Sequence, residues 1–324
     1  MIGRVGRITD TGRKRRRNED AYVCEPPLFA IADGMGGAQA GEVASRLAAA
    51  ALKEAGAHGG GEQRIVDLIQ EANRRVYDRS STDPNVSGMG TTMTVALVED
   101  GRVAFGHVGD SRAYLIRDGA MEQLTEDHSL VNELLKSGKL SREEAETHPQ
   151  RSVITRAVGT DPDVDVDTFT IDAQAGDLFL LCSDGLTDMI SEESILDLVE
   201  RNRDDMNAAL RALVKAANRG GGEDNITVIA FEVTDAPVHD ERTLEQALPE
   251  EPTVVLDDED TLDETDGVPT VGDTRVISVE QVREEAEAER QARRRRLRRR
   301  LVAWLVLLLF AVAIAALVIW RLVT

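Results

Sequence analysis

An α+β fold, built of antiparallel sheets flanked by helices, is predicted by three observations on this 324-residue chain. Strand-like and helix-like runs arrive in batches, without the strict alternation that would signal a doubly wound parallel sheet. Two Asp-Gly pairs, Asp100-Gly101 and Asp118-Gly119, separate short β-rich runs, and this is the turn chemistry that closes hairpins. Amphipathic segments such as 62–79, with Ile65, Leu68, Ile69, Ala72 and Val76 at helical spacing, supply apolar faces to cover a sheet.

The elements follow in order. Residues 4–9, 22–24 and 28–32 read as strands. Between the first two lies the polar stretch 11–20 (TGRKRRRNED), whose five consecutive bases, Arg13 to Arg17, would by default form a solvated loop. Residues 41–54 are alanine-rich with Val43, Leu47 and Ala51 at helical spacing, and 55–61 and 82–90 read as loops. A meander of strands at 92–98, 103–108, 113–116 and 121–124 precedes a short helix at 129–136. The polar excursion that follows, through Pro149 to Thr155, is of a length that usually carries function. Strands at 166–171 and 178–182, helices at 191–200 and 205–218 and a last strand at 225–233 complete a body of residues 1–235.

Beyond the body the composition changes. Residues 236–280 hold 14 acids and 2 bases with little apolar periodicity, so they should form a disordered tether. Residues 281–300 hold 9 arginines and 4 acids, a basic juxtamembrane segment. Residues 301–320 (LVAWLVLLLFAVAIAALVIW) carry no charge, enough to cross about 30 Å of hydrocarbon as a transmembrane helix. Trp304 and Trp320 lie near its ends, and the arginines before it should stay on the cytoplasmic side. The expectation is a single-pass protein of the cell membrane, its body cytoplasmic and residues 321–324 an extracytoplasmic tail. No apolar run follows residues 1–10, so no signal peptide is expected. The body is acidic, 41 acids against 26 bases, which argues against nucleic acid as a partner. Cys24 and Cys182 fall in apolar runs and read as core residues of a reducing compartment.

The chemistry gathers at strand edges. Asp33 follows the apolar run 28–32, Asp110 ends 103–109, Asp184 follows 179–182 and Asp224 precedes 225–233. An Asp-Gly pair alone is more often a turn than a ligand. Four such aspartates from distant parts of the chain suggest one oxygen-rich site, since an unpaired carboxylate is costly to bury. Carboxylate-only sites suit Mg2+ or Mn2+ rather than zinc.

Seven motifs then acquire a common meaning: TGRKRRRNEDAY (11–22), FAIADGMGGAQAGEVAS (29–45), GMGTTMTVALV (88–98), GHVGDSRAYLIRDG (106–119), LTEDHSLV (124–131), LCSDGLTDMI (181–190) and EDNITVIAF (223–231). Together they resemble the bacterial metal-dependent Ser/Thr protein phosphatases of type 2C. The resemblance covers residues 3–233 and implies an α-β-β-α sandwich. It also implies hydrolysis of phosphoserine and phosphothreonine by a water activated between two Mn2+ or Mg2+ ions. By that resemblance Asp33 would bridge the two ions with the Gly34 carbonyl as a further ligand, and Asp184 and Asp224 would complete the set. Glu19 would stand beside the ions with Asp20 supporting it. Asp110, with Asp184, would hold a third, weaker ion. Arg15 would bind the phosphoryl group, a task suited to its planar donors. Met35 stands where some eukaryotic relatives have a histidine proposed as general acid. His128 is a weak substitute, since a lone loop histidine is usually structural, and His107, within a strand, reads as core. The segment 130–156 corresponds to a mobile flap. A C-terminal span looks like the version paired with membrane Ser/Thr kinases, which with their phosphorylated substrates are the expected partners.

Three other readings arise. A catalytically inactive, membrane-tethered phosphoprotein-binding module is disfavoured because every expected metal carboxylate is present. A scaffold whose tether threonines (Thr253, Thr261, Thr265, Thr270, Thr274) are phosphorylated is compatible with the phosphatase. A cysteine-based phosphatase is disfavoured, since no arginine follows Cys182 in a phosphate-cradling loop.

Overall fold

The structure is a computed structural model and describes residues 1–36, 40–57, 60–146, 148–235 and 275–276. Five strands form one antiparallel sheet: β1 (Ile2–Asp10), β7 (Arg112–Arg117), β8 (Ala120–Gln123), β11 (Leu178–Cys182) and β12 (Ile226–Val233), in the order β1-β12-β11-β7-β8. The second sheet runs β10-β6-β5-β3-β2, made of β2 (Asp20–Glu25), β3 (Leu28–Met35), β5 (Met93–Glu99), β6 (Arg102–Val108) and β10 (Asp167–Asp172). The two-residue β4 (Gly90–Thr91) pairs with the end of β3.

Alternation explains why the strands read as unbroken apolar runs. Along β11, Leu178, Leu180 and Cys182 face outward, while Phe179 and Leu181 face the other sheet. Both faces are covered, as the period of two requires for such a run. Helices α1 (Ala40–Ala55) and α2 (Gly61–Thr82) cover the second sheet, with Ala44, Ala48, Leu52, Ile65 and Leu68 buried against Ala30 and Val95. Helices α6 (Glu192–Arg201) and α7 (Met206–Gly220) cover the first, with Ile195, Val199, Leu210 and Leu213 against Leu180 and Val228. Between the sheets, Phe29 stacks on Phe231 at 4.2 Å and Phe179 on Phe231 at 5.2 Å. The expected α-β-β-α sandwich is the observed architecture.

Local chemistry sets the boundaries. Asp100 and Gly101, at φ 45° and 78°, and Asp118 and Gly119, at 51° and 74°, are the positive-φ pairs that a two-residue hairpin needs. Ser191 and Asp205 accept hydrogen bonds from Ser194 N–H and Ala208 N–H, and so cap α6 and α7. Ser129 does the same for α3 (Leu130–Lys136). The 130–156 segment also contains α4 (Arg142–Glu146) and the short β9 (Val153–Ile154). The polar excursion that follows the expected helix therefore carries regular structure of its own.

At the edge of the first sheet the Met1 ammonium donates to Thr234 O at 2.7 Å and Thr234 N–H to Met1 O at 2.8 Å. The body's last strand thus ends at Val233, beside the chain's start. Contacts divide the chain into Met1–Val276 and Ile277–Thr324. The tether at 236–280, the basic segment 281–300, the apolar run 301–320 and the tail 321–324 lie outside the described residues, apart from β13 (Arg275–Val276). β13 pairs in parallel with β9, a departure from the expectation of a structureless tether at a point where the sequence turns β-branched (Val276, Ile277). No helix among the described residues is long and apolar enough to cross a membrane.

Candidate metal centre

The aspartates reach one end of the sandwich because the strands that carry them end there. Asp33 lies directly opposite Asp20 across the β2–β3 pair. Asp110 sits in the turn from β6 to β7. Asp184 opens the short helix α5 (Asp184–Thr187) just after β11, and Asp224 lies just before β12, the neighbouring strand. Two glycines expected as turn-formers have another role. Asp33 and Gly34 are still within β3, and Gly185 is within α5. A Cβ at Gly34 would collide with Gly41 O and Glu19 O, and one at Gly185 with Asn225 O. Glycine is needed here for close backbone approach, not to turn the chain.

Brought to one end, the carboxylates repel one another. Asp33 titrates well above the ordinary range, first because of burial and then because Asp20, Asp184, Asp224 and Asp110 repel its charge. Asp184 is raised in the same way by burial and by Asp224, Asp110, Asp188 and Asp20. Asp20 and Asp110 are each pushed to about 7, again mainly by burial. Asp224 is raised by burial, a shift that Arg15 opposes. Asp20, Asp33 and Asp184 keep some contact with solvent, yet enough protein surrounds each for the loss of hydration to dominate.

Asp20 ties the two sheets together. Its Oδ2 accepts from Ser183 Oγ at 2.9 Å and from Thr227 Oγ1 at 2.6 Å, both on the opposite sheet side. Its Oδ1, like Oδ1 of Asp184, is buried without a hydrogen-bond partner. Orphaned carboxylate oxygens among repelling carboxylates call for cations. Among the described residues no three His, Cys, Asp or Glu side chains stand as a finished chelate for one ion. The fit to Mn2+ or Mg2+ rests instead on the oxygen-only donors, the crowded negative charge and the two orphaned atoms.

The arm that carries Glu19 and Arg15 is fixed by Asn225. Its Oδ1 accepts from Glu19 N–H at 2.7 Å, and its Nδ2 donates to Thr11 O and Arg17 O. Glu19 O in turn accepts from Gly34 N–H at 3.2 Å and Ser45 Oγ at 2.6 Å, which places Glu19 beside the Asp33-Gly34 pair. Arg15 Nη2 donates to Asp224 Oδ2 at 2.7 Å, so the predicted phosphate-binding guanidinium borders the carboxylate cluster.

The flap rests on the same end: Ile154 packs against Met35 and Ala157, and Arg151 Nε lies 3.5 Å from Asp188 Oδ2. Both histidines are structurally committed. His128 Nδ1 accepts from Gly109 N–H at 3.0 Å, while its Nε2 lies 3.2 Å from Asp167 Oδ2 and 3.0 Å from Arg156 Nη1. His107 is fully buried beside Thr94 Oγ1, and burial lowers it to about 3. Cys182 is fully buried and its thiol is pushed up to about 12, so it is not a nucleophile at neutral pH.

Sequence reasoning missed Asp188, raised by burial and facing both Asp184 and Arg151. Its signal was the spacing of four from Asp184, which puts both on one side of a helical turn. Asn225, Ser183 and Thr227 were missed as well, because the partners described above lie 163 to 214 residues away.

Comparison with known proteins gives one consistent answer. The model of the family described as protein phosphatase 2C matches residues 13–223. The serine/threonine phosphatase stp of Listeria innocua is 40% identical over 236 residues, covering 69% of this chain and 93% of that protein. The crystal structure of the Mycobacterium tuberculosis serine/threonine phosphatase PstP/Ppp superposes with a TM-score of 0.69 at 38% identity, covering 72% of this chain and 100% of that one. A PstP catalytic domain solved in complex with two manganese ions gives a TM-score of 0.66 at 37% identity, covering 72% and 98%.

Proposed function

This chain belongs to the protein phosphatase 2C family, and on that premise we propose that it is a metal-dependent phosphatase of phosphoserine and phosphothreonine in proteins. The observation that carries the reading is the convergence of Asp20, Asp33, Asp110, Asp184 and Asp224 on one sandwich end, with Oδ1 of Asp20 and Oδ1 of Asp184 buried without a hydrogen-bond partner. Asp33, the Gly34 carbonyl, Asp184 and Asp224 would hold two Mn2+ or Mg2+ ions, with Glu19 beside them and Asp110 helping at a third, weaker site. Bound there, the ions would lower the pKa of a water and draw off phosphoryl charge.

The chain's own groups do the rest. Arg15, whose arm is held by Asn225, can offer its planar donors to two phosphoryl oxygens at the cluster's edge. Asp20, held by Ser183 and Thr227, keeps one acceptor oxygen turned to no protein donor. With Met35 after Gly34 and His107 and His128 committed elsewhere, no imidazole among the described residues stands at the Asp-Gly pair to protonate the leaving oxygen. The Cys182 thiol, held protonated, supports direct hydrolysis over a covalent phosphocysteine.

Turnover of p-nitrophenyl phosphate and phosphothreonine peptides by the full chain, with Mn2+ and with EDTA, tests this. Asp184→Asn should cost at least about a hundredfold in kcat. Activity that survives EDTA would remove the metal from the reading. Intact Mn2+ binding without turnover would favour the phosphoprotein-binding module.

We also propose that residues 301–320 anchor the protein in the cell membrane with the body in the cytoplasm. The supporting feature is an apolar run of membrane-spanning length behind seven arginines. A tether of that kind samples about 40 Å by random-coil scaling and concentrates the enzyme on membrane substrates, with Ser/Thr kinases the fitting class. Release of the protein from membranes by alkaline carbonate would count against the anchor.

A further inference from the structure

One sequence feature is only partly used by the proposed reaction: of five consecutive bases, Arg15 alone has a role. The arm that bears them is no loose loop. Arg13 N–H and Lys14 N–H both donate to Gly222 O, at 2.7 and 3.1 Å. Gly12, at φ 76°, lies so close to Asp224 O that any side chain there would collide with it. Pinning the arm against the segment that carries Asp224 fixes where its side chains emerge.

On the far side of the arm, α7 presents a basic stripe. Arg211, Lys215 and Arg219 recur every four residues and are exposed, while Leu210, Leu213, Val214 and Ala217 are buried. Between arm and helix lies an open surface depression of about 470 Å3, lined by Ile8 and Val214 together with Arg13, Arg211 and Lys215. One carboxylate, Asp10, borders it, but its Oδ1 is engaged by Gly12 N–H at 2.9 Å and Asn218 Nδ2 at 3.0 Å. Arg211 reaches Asp205 only at 3.9 Å, with both side chains more than 60% exposed. Neither Arg13 nor Lys215 has an acidic side chain within salt-bridge reach among the described residues.

A cluster of cations around a concave site is notable on a body with 41 acids and 26 bases, because the surrounding field is negative. Local reversal of sign selects for an anionic group and repels cationic neighbours. The site is also close to the chemistry: Arg13 and Arg15 are two residues apart, at most about 7 Å of chain. A substrate whose phosphoryl group sits at Arg15 would carry residues a few places away past Arg13.

We propose that Arg13, Arg211 and Lys215 form a second anion subsite that takes an acidic or phosphorylated side chain of the same substrate protein, two to four residues from the phosphoryl group being removed. This rests on the protein-phosphatase reading above. The apolar lining receives the stem of that side chain and the three cations its charge. The chain would then discriminate among phosphoproteins by their flanking charge, while a small aryl phosphate would not sense the subsite.

The test uses the full chain with Mn2+ and three phosphothreonine peptides that differ at one flanking residue: alanine, glutamate or a second phosphothreonine. The expected kcat/KM is about fivefold higher for the anionic flanks than for alanine, as two exposed charge contacts would supply. The Arg211→Ala/Lys215→Ala variant should erase that preference while turning over p-nitrophenyl phosphate at the wild-type rate. A preference for both anions assigns the subsite to charge in general; a preference for the second phosphoryl group alone assigns it to phosphate. A preference that persists in the variant overturns the proposal, as does an equal loss on every peptide. Peptide turnover without any flank preference also overturns the subsite and leaves the phosphatase reading standing. Absence of any peptide turnover overturns both.

Discussion

The same strands build two opposite environments. Follow the positions of β3 that face the other sheet, and Phe29 and Ile31 give way to Asp33. Along β11 and the residue after it the sequence is Phe179, Leu181, Ser183, and along β12 in reverse it is Phe231, Ile229, Thr227. At one end three phenylalanines stack; a few residues on, the same alternation delivers hydroxyls and carboxylates. Apolar burial at the first end stabilises the fold, and carboxylate crowding at the second opposes it. What the difference teaches is a division of labour along each strand: the aromatic end holds two sheets in register so that the polar end can keep like charges together.

Phe231→Ala should separate the two ends most clearly. Removal of a fully buried ring from the stack should cost about 4 kcal/mol. That is a fall in melting temperature of about 10 °C for a body of this size. Activity per folded molecule at low temperature should be kept; a matching loss of activity in the folded fraction would show that the two ends are not separable.

pH should act on the other end. A carboxyl that keeps its proton to higher pH in the folded chain than in the unfolded one makes the folded state the better proton binder. Asp20 and Asp110 are pushed up to about 7 in the fold against 3.8 ordinarily, mainly by burial, and Asp33 and Asp184 are raised in the same direction. The carboxyl cluster's contribution to the stability of the metal-free protein should therefore be greatest at low pH and decline as pH rises from about 4 through 7, while buried His107, lowered to about 3, opposes that slope below its ordinary range. Melts in EDTA should show that slope and melts in excess Mn2+ should flatten it. A flat profile in EDTA would mean that the carboxylates are not crowded in solution.

The smallest effect is expected where the ends join. Thr227→Val keeps the shape of a buried strand residue and removes the hydroxyl that donates to Asp20 at 2.6 Å. About 1 kcal/mol, or roughly 3 °C, should be lost. The pH slope should steepen, because Asp20 would lose a bond that favours its ionised form. An unchanged slope would remove Thr227 from the control of that charge.

How much of this was legible in the sequence follows from the range of the forces involved. Hairpin turns, capping residues and alternating strands are local, and Asp100-Gly101, Ser191 and Asp205 announce themselves within a few residues. The aspartates were legible because each borders an apolar run. The roles of Gly34 and Gly185 were not, since the collisions that require glycine come from Gly41 and Asn225, which only the folded chain brings near. Asn225 was hidden for the same reason: its two amide atoms organise an arm more than 200 residues earlier. Asp188 had a readable spacing, but its importance comes from a flap arginine, Arg151, that no local pattern connects to it.

The pairing of Met1 with Thr234 makes the folded body almost a closed ring of chain. Its two ends already meet as neighbouring strands, so a few residues could splice them covalently, and new termini could be opened at an exposed hairpin such as Asp118-Gly119. For the sandwich, having a break between β12 and β1 rather than at another exposed turn is arbitrary. Anything fused before Met1 emerges at the same corner as the segment that leaves after Thr234, so two attachments there must share one doorway.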